Sequence, residues 1–264
     1  MIVAAAICPS PPLLATELTG QADILPELRT ACAAAVARLL AAAPEVVAVV
    51  GPAETTGPWD PAAQLRLASF APALGQDAPA SDNSKKHHSG PAAAPPAAAP
   101  FLPLALGIGA RLLDEAGYTG PRTLDGIAED EPAATCLALG RQLAASAPRV
   151  ALLAVGDGTA RRSASAPGYL DERAAPFDEA VERAVRDGDL PAIAALDPAL
   201  AADLLAAGRP AWQTLAGALS SAGGRLQTEV LYSDAPLGVA YLVATLIPER
   251  IQNPPTPEGL TGEP

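Results

Sequence analysis

The sequence is poor in histidine, cysteine and aromatic residues. It has two histidines and three cysteines in 264 residues, and aromatic residues make up 3%. The cysteines are widely spaced, so neither a metal-binding CxxC motif nor a disulfide framework is expected. Both histidines lie side by side, as His87 and His88, in a segment with no structural period. We therefore do not expect a Ser-His-Asp hydrolase, because such a site needs a histidine beside its serine.

Basic residues and long apolar runs are also scarce. There are 17 Lys and Arg residues against 29 Asp and Glu, and the net charge is −12. Nucleic-acid binding needs clustered positive charge, so no nucleic-acid partner is expected. No apolar run approaches the roughly 20 residues that span a bilayer, and the N-terminus lacks the basic start of a signal peptide. These absences predict an acidic cytoplasmic protein without a membrane partner.

The sequence does contain alternating strand and helix patterns, built from the apolar residues that make up 50% of the chain. This order, with continuous apolar strands, predicts an α/β fold with a mainly parallel or mixed central sheet and helices on both faces. We expect a single domain over residues 1–247. The predicted strands are 2–7, 46–50, 122–127, 149–155, 225–232 and 237–246, and the predicted helices are 22–43, 101–116, 132–146, 176–187, 189–195, 198–206 and 209–222.

Two segments are expected to lie outside this packed domain. Residues 75–100 are rich in Ala and Pro and have no apolar period, which predicts a flexible surface insertion. His87 and His88 lie in it, and we interpret them as part of a solvated loop rather than as metal ligands. Residues 248–264 are predicted to form a frayed tail.

Four loops follow or join predicted strands and carry polar residues. They are "CPSPP" at 8–12, "GPAE" at 51–54, "GDGTARRS" at 156–163 and "YSDAPLGVAY" at 232–241. Loops at the carboxyl ends of neighbouring parallel strands meet at one edge of an open α/β sheet, where ligands usually bind. The sequence therefore predicts a pocket lined by these four loops.

These loops carry a resemblance to a known family. The succession of "CPSPPLL", "GPAE", "GDGTARRSASAPGYLDERAAPFDEAV" and "YSDAPLGVAYLVA" resembles the class III extradiol ring-cleavage dioxygenases, whose fold the Memo-like proteins share. The resemblance implies an α/β domain over most of the chain and a site for Fe(II). Two histidines and one carboxylate hold that iron, and a further histidine acts as acid and base. It also implies assembly as a homo-oligomer such as a dimer, or pairing with a second chain.

The sequence departs from this family at the positions that carry the chemistry. Ser10 stands where the first ligand histidine is expected, and Ala53 where the second is expected. Thr159–Arg161 replaces a Ser-His-Arg motif, and only Asp234 keeps a carboxylate, in place of a glutamate. A hydroxyl binds Fe(II) poorly and a methyl group does not bind it. Classical Fe(II) ring cleavage is therefore not expected.

Neighbouring residues provide an alternative metal site. Glu54, Asp157 and Asp234 together would offer oxygen ligands, which suit Mg²⁺, Mn²⁺ or Ca²⁺ better than Fe(II). Cys8 would add a soft ligand or a nucleophile. The structural alternatives are that Glu54 caps a helix, Asp157 binds its own turn and Cys8 is a small buried hydrophobic residue. Cys8, Asp157 and Asp234 are the catalytic candidates, and Glu54 and Asp234 the metal candidates.

Six residues are predicted to line the ligand pocket. Arg161, with Arg162 and Arg173, would face an anionic ligand or else pair with local acids. Tyr169 and Tyr232 would stack on a ring or else anchor their loops. The full set of pocket candidates is Ser10, Glu54, Thr159, Arg161, Tyr169 and Tyr232.

Three functions follow from these alternatives. The first is a dioxygenase-like protein that binds a small molecule or a partner in the pocket, without ring cleavage and without a cofactor. The second is an enzyme with a rebuilt site, either a metal-dependent dioxygenase or oxidoreductase or a hydrolase-like enzyme, using Fe(II) or another divalent metal. The third is a structural subunit of a hetero-oligomer.

Overall fold

A seven-stranded mixed sheet forms the centre of the protein. The computed structural model describes residues 1–15, 18, 24–65, 67 and 101–249. The strand order is β3-β4-β2-β5-β1-β7-β6; the four central strands β4, β2, β5 and β1 are parallel, and β3, β7 and β6 run antiparallel to their neighbours. The strands are β1 (Ile2–Cys8), β2 (Val46–Ala53), β3 (Gly57–Trp59), β4 (Arg122–Ala128), β5 (Val150–Val155), β6 (Leu226–Asp234) and β7 (Tyr241–Pro248).

Helices cover both faces of this sheet. Helices α1 and α2 pack on one face, and α3 to α7 pack on the other. A short 3-10 helix at Pro12–Leu14 follows β1. The helices are α1 (Pro26–Ala41), α2 (Leu104–Glu115), α3 (Ala133–Ala144), α4 (Ala174–Asp187), α5 (Leu190–Ala194), α6 (Pro198–Asp203) and α7 (Arg209–Leu219).

The central strands read as continuous apolar runs because both of their faces are covered. All six residues of β5 are buried. In β1, Ala4 and Ala6 face α1 and α2, whereas Ala5 and Ile7 face the helices of the other layer. A strand buried on both sides needs apolar residues at successive positions rather than at alternate ones.

Two glycines allow α3 and α7 to approach closely. A Cβ added at Gly217 would lie less than 3.0 Å from the carbonyl oxygen of Leu137, and one added at Gly140 would meet that of Thr214 in the same way. Such distances are far below van der Waals contact, so any side chain would push the helices apart. At the other end of α7, the amide of Gly208 donates to the carbonyl of Asp157 over 2.8 Å, which holds the start of the helix beside the loop after β5.

The structure confirms the predicted α/β class, with a mixed sheet and helices on both faces, and adds one strand. The short edge strand β3 is not evident from the sequence because its three residues, Gly57–Trp59, are too few to show a period. Strand β7 runs over 241–248 instead of 237–246, because Gly238, with φ of 75°, turns the chain first. The predicted insertion at 75–100 and the tail beyond 249 lie outside the described residues. No helix in the described ranges has the length and apolarity needed to cross a bilayer.

Candidate functional site

A cleft of about 660 Å³ opens at the carboxyl edge of the parallel strands. All four parallel strands contribute to it, because their carboxyl ends lie at the same edge of the sheet. The N-terminus of α2 and the turn before α7 complete its walls. Its lining consists of Ser10, Pro52, Ala53, Glu54, Pro103, Leu104, Ala105, Ala128, Glu129, Asp130, Asp157 and Ala207. A concave cleft therefore lies at the sheet edge where the sequence predicts a pocket.

Ser10 and Asp157 join two of the predicted loops at this cleft. The backbone amide of Ser10 donates to Oδ1 of Asp157 over 2.6 Å. The Gly156 amide donates to the carbonyl of Cys8 over 2.9 Å, so the loops after β1 and β5 are held together at two points. Prolines on both sides of Ser10 fix its backbone, and Ser10 is 6% exposed. The stiff loop thus presents its amide to a carboxylate.

Asp157 has an unusual protonation equilibrium. Burial raises the pKa of its carboxyl group to about 6, although hydrogen bonding from Ser10 acts to lower it. Burial also raises the pKa of Tyr241, and the nearby Asp157 charge raises it further. A carboxyl group with a pKa near 6 exchanges its proton close to neutral pH, which is what a general acid or base requires. Asp157 is therefore the residue of the cleft best suited to proton transfer.

The cleft has acidic and apolar walls. Glu54, Glu129 and Asp130 add carboxylates to that of Asp157, and no residue in the described lining is basic. The apolar surface comes mainly from Pro and Ala side chains at positions 52, 53, 103, 105, 128 and 207. Such a lining favours a ligand that donates hydrogen bonds and has an apolar face, and it disfavours an anion.

Arg209 is a buried residue that holds the loop carrying Glu129 and Asp130, which form the acidic wall of the cleft. It is 1% exposed, and its guanidinium donates to the backbone carbonyls of Glu129 and Glu131 and to the side chain of Gln213. The positively charged guanidinium of Arg209 thus binds backbone carbonyl oxygens of the loop between β4 and α3. Arg209 therefore positions Glu129 and Asp130 at the cleft.

The long loop after β5 is held by Asp178 of α4. Asp178 accepts hydrogen bonds from the amide and the hydroxyl of Thr159, at 3.0 and 2.6 Å, and pairs with Arg162 at 3.0 Å. Burial raises the pKa of Asp178, and these hydrogen bonds act to lower it. Thr159 is fully buried. The structure thus places this predicted pocket residue in the loop's support and not in the cleft lining.

The arginines of this region have local partners. Arg161 donates to the carbonyl of Gly168 over 2.6 Å. Arg173 pairs with Asp171 at 2.9 Å and with Asp203 at 3.3 Å, and its hydrogen bonds lower the pKa of Asp171 to about 2. Arg173 therefore shows the local pairing with acids that was the alternative to an anion site. Arg161 binds a backbone carbonyl instead, and its Nε is buried without a partner among the described residues.

The two predicted tyrosines do not line the cleft. Tyr169 is 75% exposed and has a positive φ of 59°. Tyr232 lies on β6, where burial and then the Asp234 and Glu27 charges raise the pKa of its hydroxyl. The charge of Asp157 raises the pKa of Tyr241 on β7, but neither Tyr232 nor Tyr241 is part of the cleft lining.

Cys8 is placed in the core and not in the cleft. Its side chain is fully buried on the face covered by α1, together with Cys32. Hydrogen bonding to Cys32 and burial raise the pKa of the Cys8 thiol well above its usual value. A buried thiol of high pKa is a poor nucleophile and ligand. Cys8 therefore has the position of a small buried hydrophobic residue, the alternative given for it, and its thiol does not line the cleft.

The donor groups present do not fit the Fe(II) site that the resemblance implies. Ala53 and Ala160 have no donor atom in their side chains, and the Thr159 hydroxyl is bound to Asp178. Asp234 lines a separate cavity, so it does not join Glu54 and Asp157 in the cleft. Among the described residues, no group of three or more His, Cys, Asp or Glu side chains has an arrangement able to hold a metal ion. The rebuilt three-carboxylate site is therefore not formed by these residues.

Sequence reasoning missed the residues that come from outside the four loops. Glu129 and Asp130 follow β4, and their position at a strand's carboxyl end is the signal that could have placed them in the cleft. In the sequence, the run "EDEP" at 129–132 indicates only the start of the following helix. Ala207 and Asp178 act through tertiary contacts across the chain, for which the sequence gives no local signal.

Comparisons with known proteins identify no family. No protein-family model matches the chain, and no curated protein matches it. Among solved structures, the crystal structure of the uncharacterized protein JW3007 from Escherichia coli K12 is similar, with a TM-score of 0.49 and 16% identity. The match covers 93% of this chain and 99% of that chain. None of these findings assigns an activity.

Proposed function

We propose that this chain is an extradiol-dioxygenase-like protein that binds a small hydroxylated aromatic molecule in the cleft without ring-cleaving iron. The observation that carries the proposal is the cleft itself. It keeps the position that open α/β sheets use for ligands, and Ser10, Glu54 and Asp157, three of the sequence-predicted residues, line it.

The chemistry of the walls supports this ligand class. Carboxylates accept hydrogen bonds, and the hydroxyl groups of a catechol donate them. Pro52, Pro103 and Ala207 offer apolar surface that a ring can contact. An anionic ligand would meet four carboxylates and no basic side chain of the described lining.

Catechol binding by metal-free protein tests the proposal. The protein is treated with a chelator and titrated with catechol by calorimetry at about pH 7.5, where the Asp157 carboxyl is charged. We expect saturable one-to-one binding that Asp157→Asn weakens by about tenfold or more, since hydrogen bonds to charged groups contribute about 1.5–3 kcal/mol.

A matched pair of variants locates the binding site. Ala207→Trp fills the cleft from its wall and is expected to abolish catechol binding. Ala195→Trp places the same side chain at an exposed position outside the cleft lining, so it should leave binding unchanged. Binding that survives Ala207→Trp, or that requires added metal, would overturn the proposal.

A further inference from the structure

Large apolar side chains are exposed together on three loops of the described chain. Seven large apolar residues are exposed in all, and three of them are the first residues of described ranges. The other four lie after β5, after α6 and in the β6–β7 turn. These four, which we call the apolar patch, are Tyr169 (75% exposed), Leu170 (59%), Leu205 (45%) and Leu237 (45%).

The three loops are held against one another. A Cβ added at Gly168 would lie 2.6 Å from Cδ1 of Leu205, so Leu205 packs against the backbone that presents Tyr169. The amide of Arg162 donates to the carbonyl of Gly238 over 3.0 Å, which joins the β6–β7 turn to the loop after β5. The apolar patch is therefore one surface on a fixed support.

Two residues of the patch have a backbone conformation that L-residues avoid. Tyr169 and Leu205 have φ values of 59° and 55°, and Ala43 is the only other non-glycine residue of the described chain with a positive φ. This conformation costs about 1–2 kcal/mol per residue. Strained residues persist where the surrounding structure requires them, commonly at functional sites. Strain and apolar exposure coincide at Tyr169 and Leu205, which indicates that these side chains are held out to contact another surface.

Charged residues border the patch. Arg173 pairs with Asp171 at 2.9 Å and with Asp203 at 3.3 Å, so it ties the segment after Leu170 to the segment before Leu205. The side chains of Arg173 and Asp203 are 54% and 62% exposed. Groups of both signs are therefore available to a facing surface. An apolar centre with a polar rim is the usual composition of a protein–protein interface.

The area and the charges of the patch fit a second copy of this chain. The exposed fractions of its four side chains correspond to about 400 Å², at about 200 Å² for a large side chain. A standard interface buries about 800 Å² on each partner, a little more than half of it apolar. In a two-fold arrangement, Arg173 of each copy faces the exposed Asp203 of the other. An anionic lipid surface does not fit, because Asp171 and Asp203 outnumber Arg173 at the rim.

We infer that two copies of the chain form a two-fold dimer through the apolar patch, with Tyr169 and Leu205 at its centre. The net charge of −12 on each copy opposes association. We therefore expect a dissociation constant of about 10 µM rather than a permanent dimer. Salt screens the repulsion between the copies, so the dimer tightens as the salt concentration rises. The dimer does not depend on what the cleft binds.

Sedimentation velocity at increasing protein concentration tests the inference. The average mass should rise from one chain to two, with half-association near about 10 µM, and should shift toward the dimer between about 0.05 and 0.5 M NaCl. At submicromolar concentration the monomer predominates, so the stability of the single chain is measured apart from association. A single-chain mass at about 200 µM, or a mass that grows beyond two chains, would overturn the inference.

Three asparagine variants locate the interface. Asparagine tolerates a positive φ better than most residues, so Tyr169→Asn and Leu205→Asn remove apolar surface while the fold is kept. Each should weaken dimerisation by about tenfold or more. Ala43→Asn makes the same replacement at the third positive-φ position, which is exposed and lies outside the patch, and it should leave dimerisation unchanged. Wild-type dimerisation in both patch variants would contradict the assigned surface.

Discussion

Replacing Asp157 with asparagine is expected to stabilise the protein at neutral pH. The carboxyl group has a pKa of about 6 in the folded chain, against an ordinary value near 3.8. The folded state therefore holds its proton more tightly than the unfolded state, and stability falls as pH rises from about 4 to above 6. The cost of ionisation above this range is about 3 kcal/mol. Asparagine avoids this cost, and its side-chain oxygen still accepts from the Ser10 amide.

Thermal and urea unfolding at two pH values measure this effect. At pH 7.5 we expect Asp157→Asn to raise the free energy of unfolding by up to about 3 kcal/mol, and Tm by roughly 2–4 °C for each kcal/mol in a chain of this size. At pH 4 the two proteins should differ little, because Asp157 is protonated in the folded state. Burial also raises the pKa values of Asp125 and Asp178, but both proteins share those groups. A variant that is equally stable or less stable at pH 7.5 would refute the reasoning.

Three further substitutions test the packing and the strained backbone by urea unfolding. Gly217→Ala should cost about 2–3 kcal/mol, because its Cβ meets the carbonyl of Leu137; wild-type stability would contradict the close approach of α3 and α7. Arg209→Met should cost about 3 kcal/mol by leaving buried carbonyls without their charged donor, and a stability loss below about 1 kcal/mol would show that Arg209 does not support the acidic wall. Tyr169→Gly should stabilise by about 1 kcal/mol because Tyr169 has a positive φ, whereas the neighbouring Leu170→Gly should not; the reverse order would refute strain at Tyr169.

Much of the fold could be predicted because burial on both faces leaves a clear record in the sequence. The run Val150–Val155 is apolar throughout since each residue packs against a helix layer or a neighbouring strand. Helix α4 has Phe177, Val181 and Val185 at helical spacing, all of them buried. Strand β3 pairs with the edge of the sheet through tertiary contact, which a three-residue segment cannot encode by periodicity.

The candidate site was only partly predictable from the sequence. Ser10, Glu54 and Asp157 follow strands, so the rule for parallel sheets placed them at one edge. Whether a residue near the end of a strand lines the cleft also depends on the direction of its side chain, which the rule does not give. Cys8 is still within β1, and the alternation of that strand turns its thiol into the core. Thr159 follows β5, as Asp157 does, but its hydroxyl binds Asp178.

The central claim is that the cleft binds an organic molecule without a ring-cleaving iron. Iron content after anaerobic Fe(II) loading and desalting tests it most directly. The weak donor at Ser10, the lack of one at Ala53 and the separation of Asp234 from the cleft predict iron far below one equivalent per chain and no oxygen uptake with catechol. One tightly held iron per chain, with ring-cleavage product that disappears in Asp234→Ala, would contradict the account.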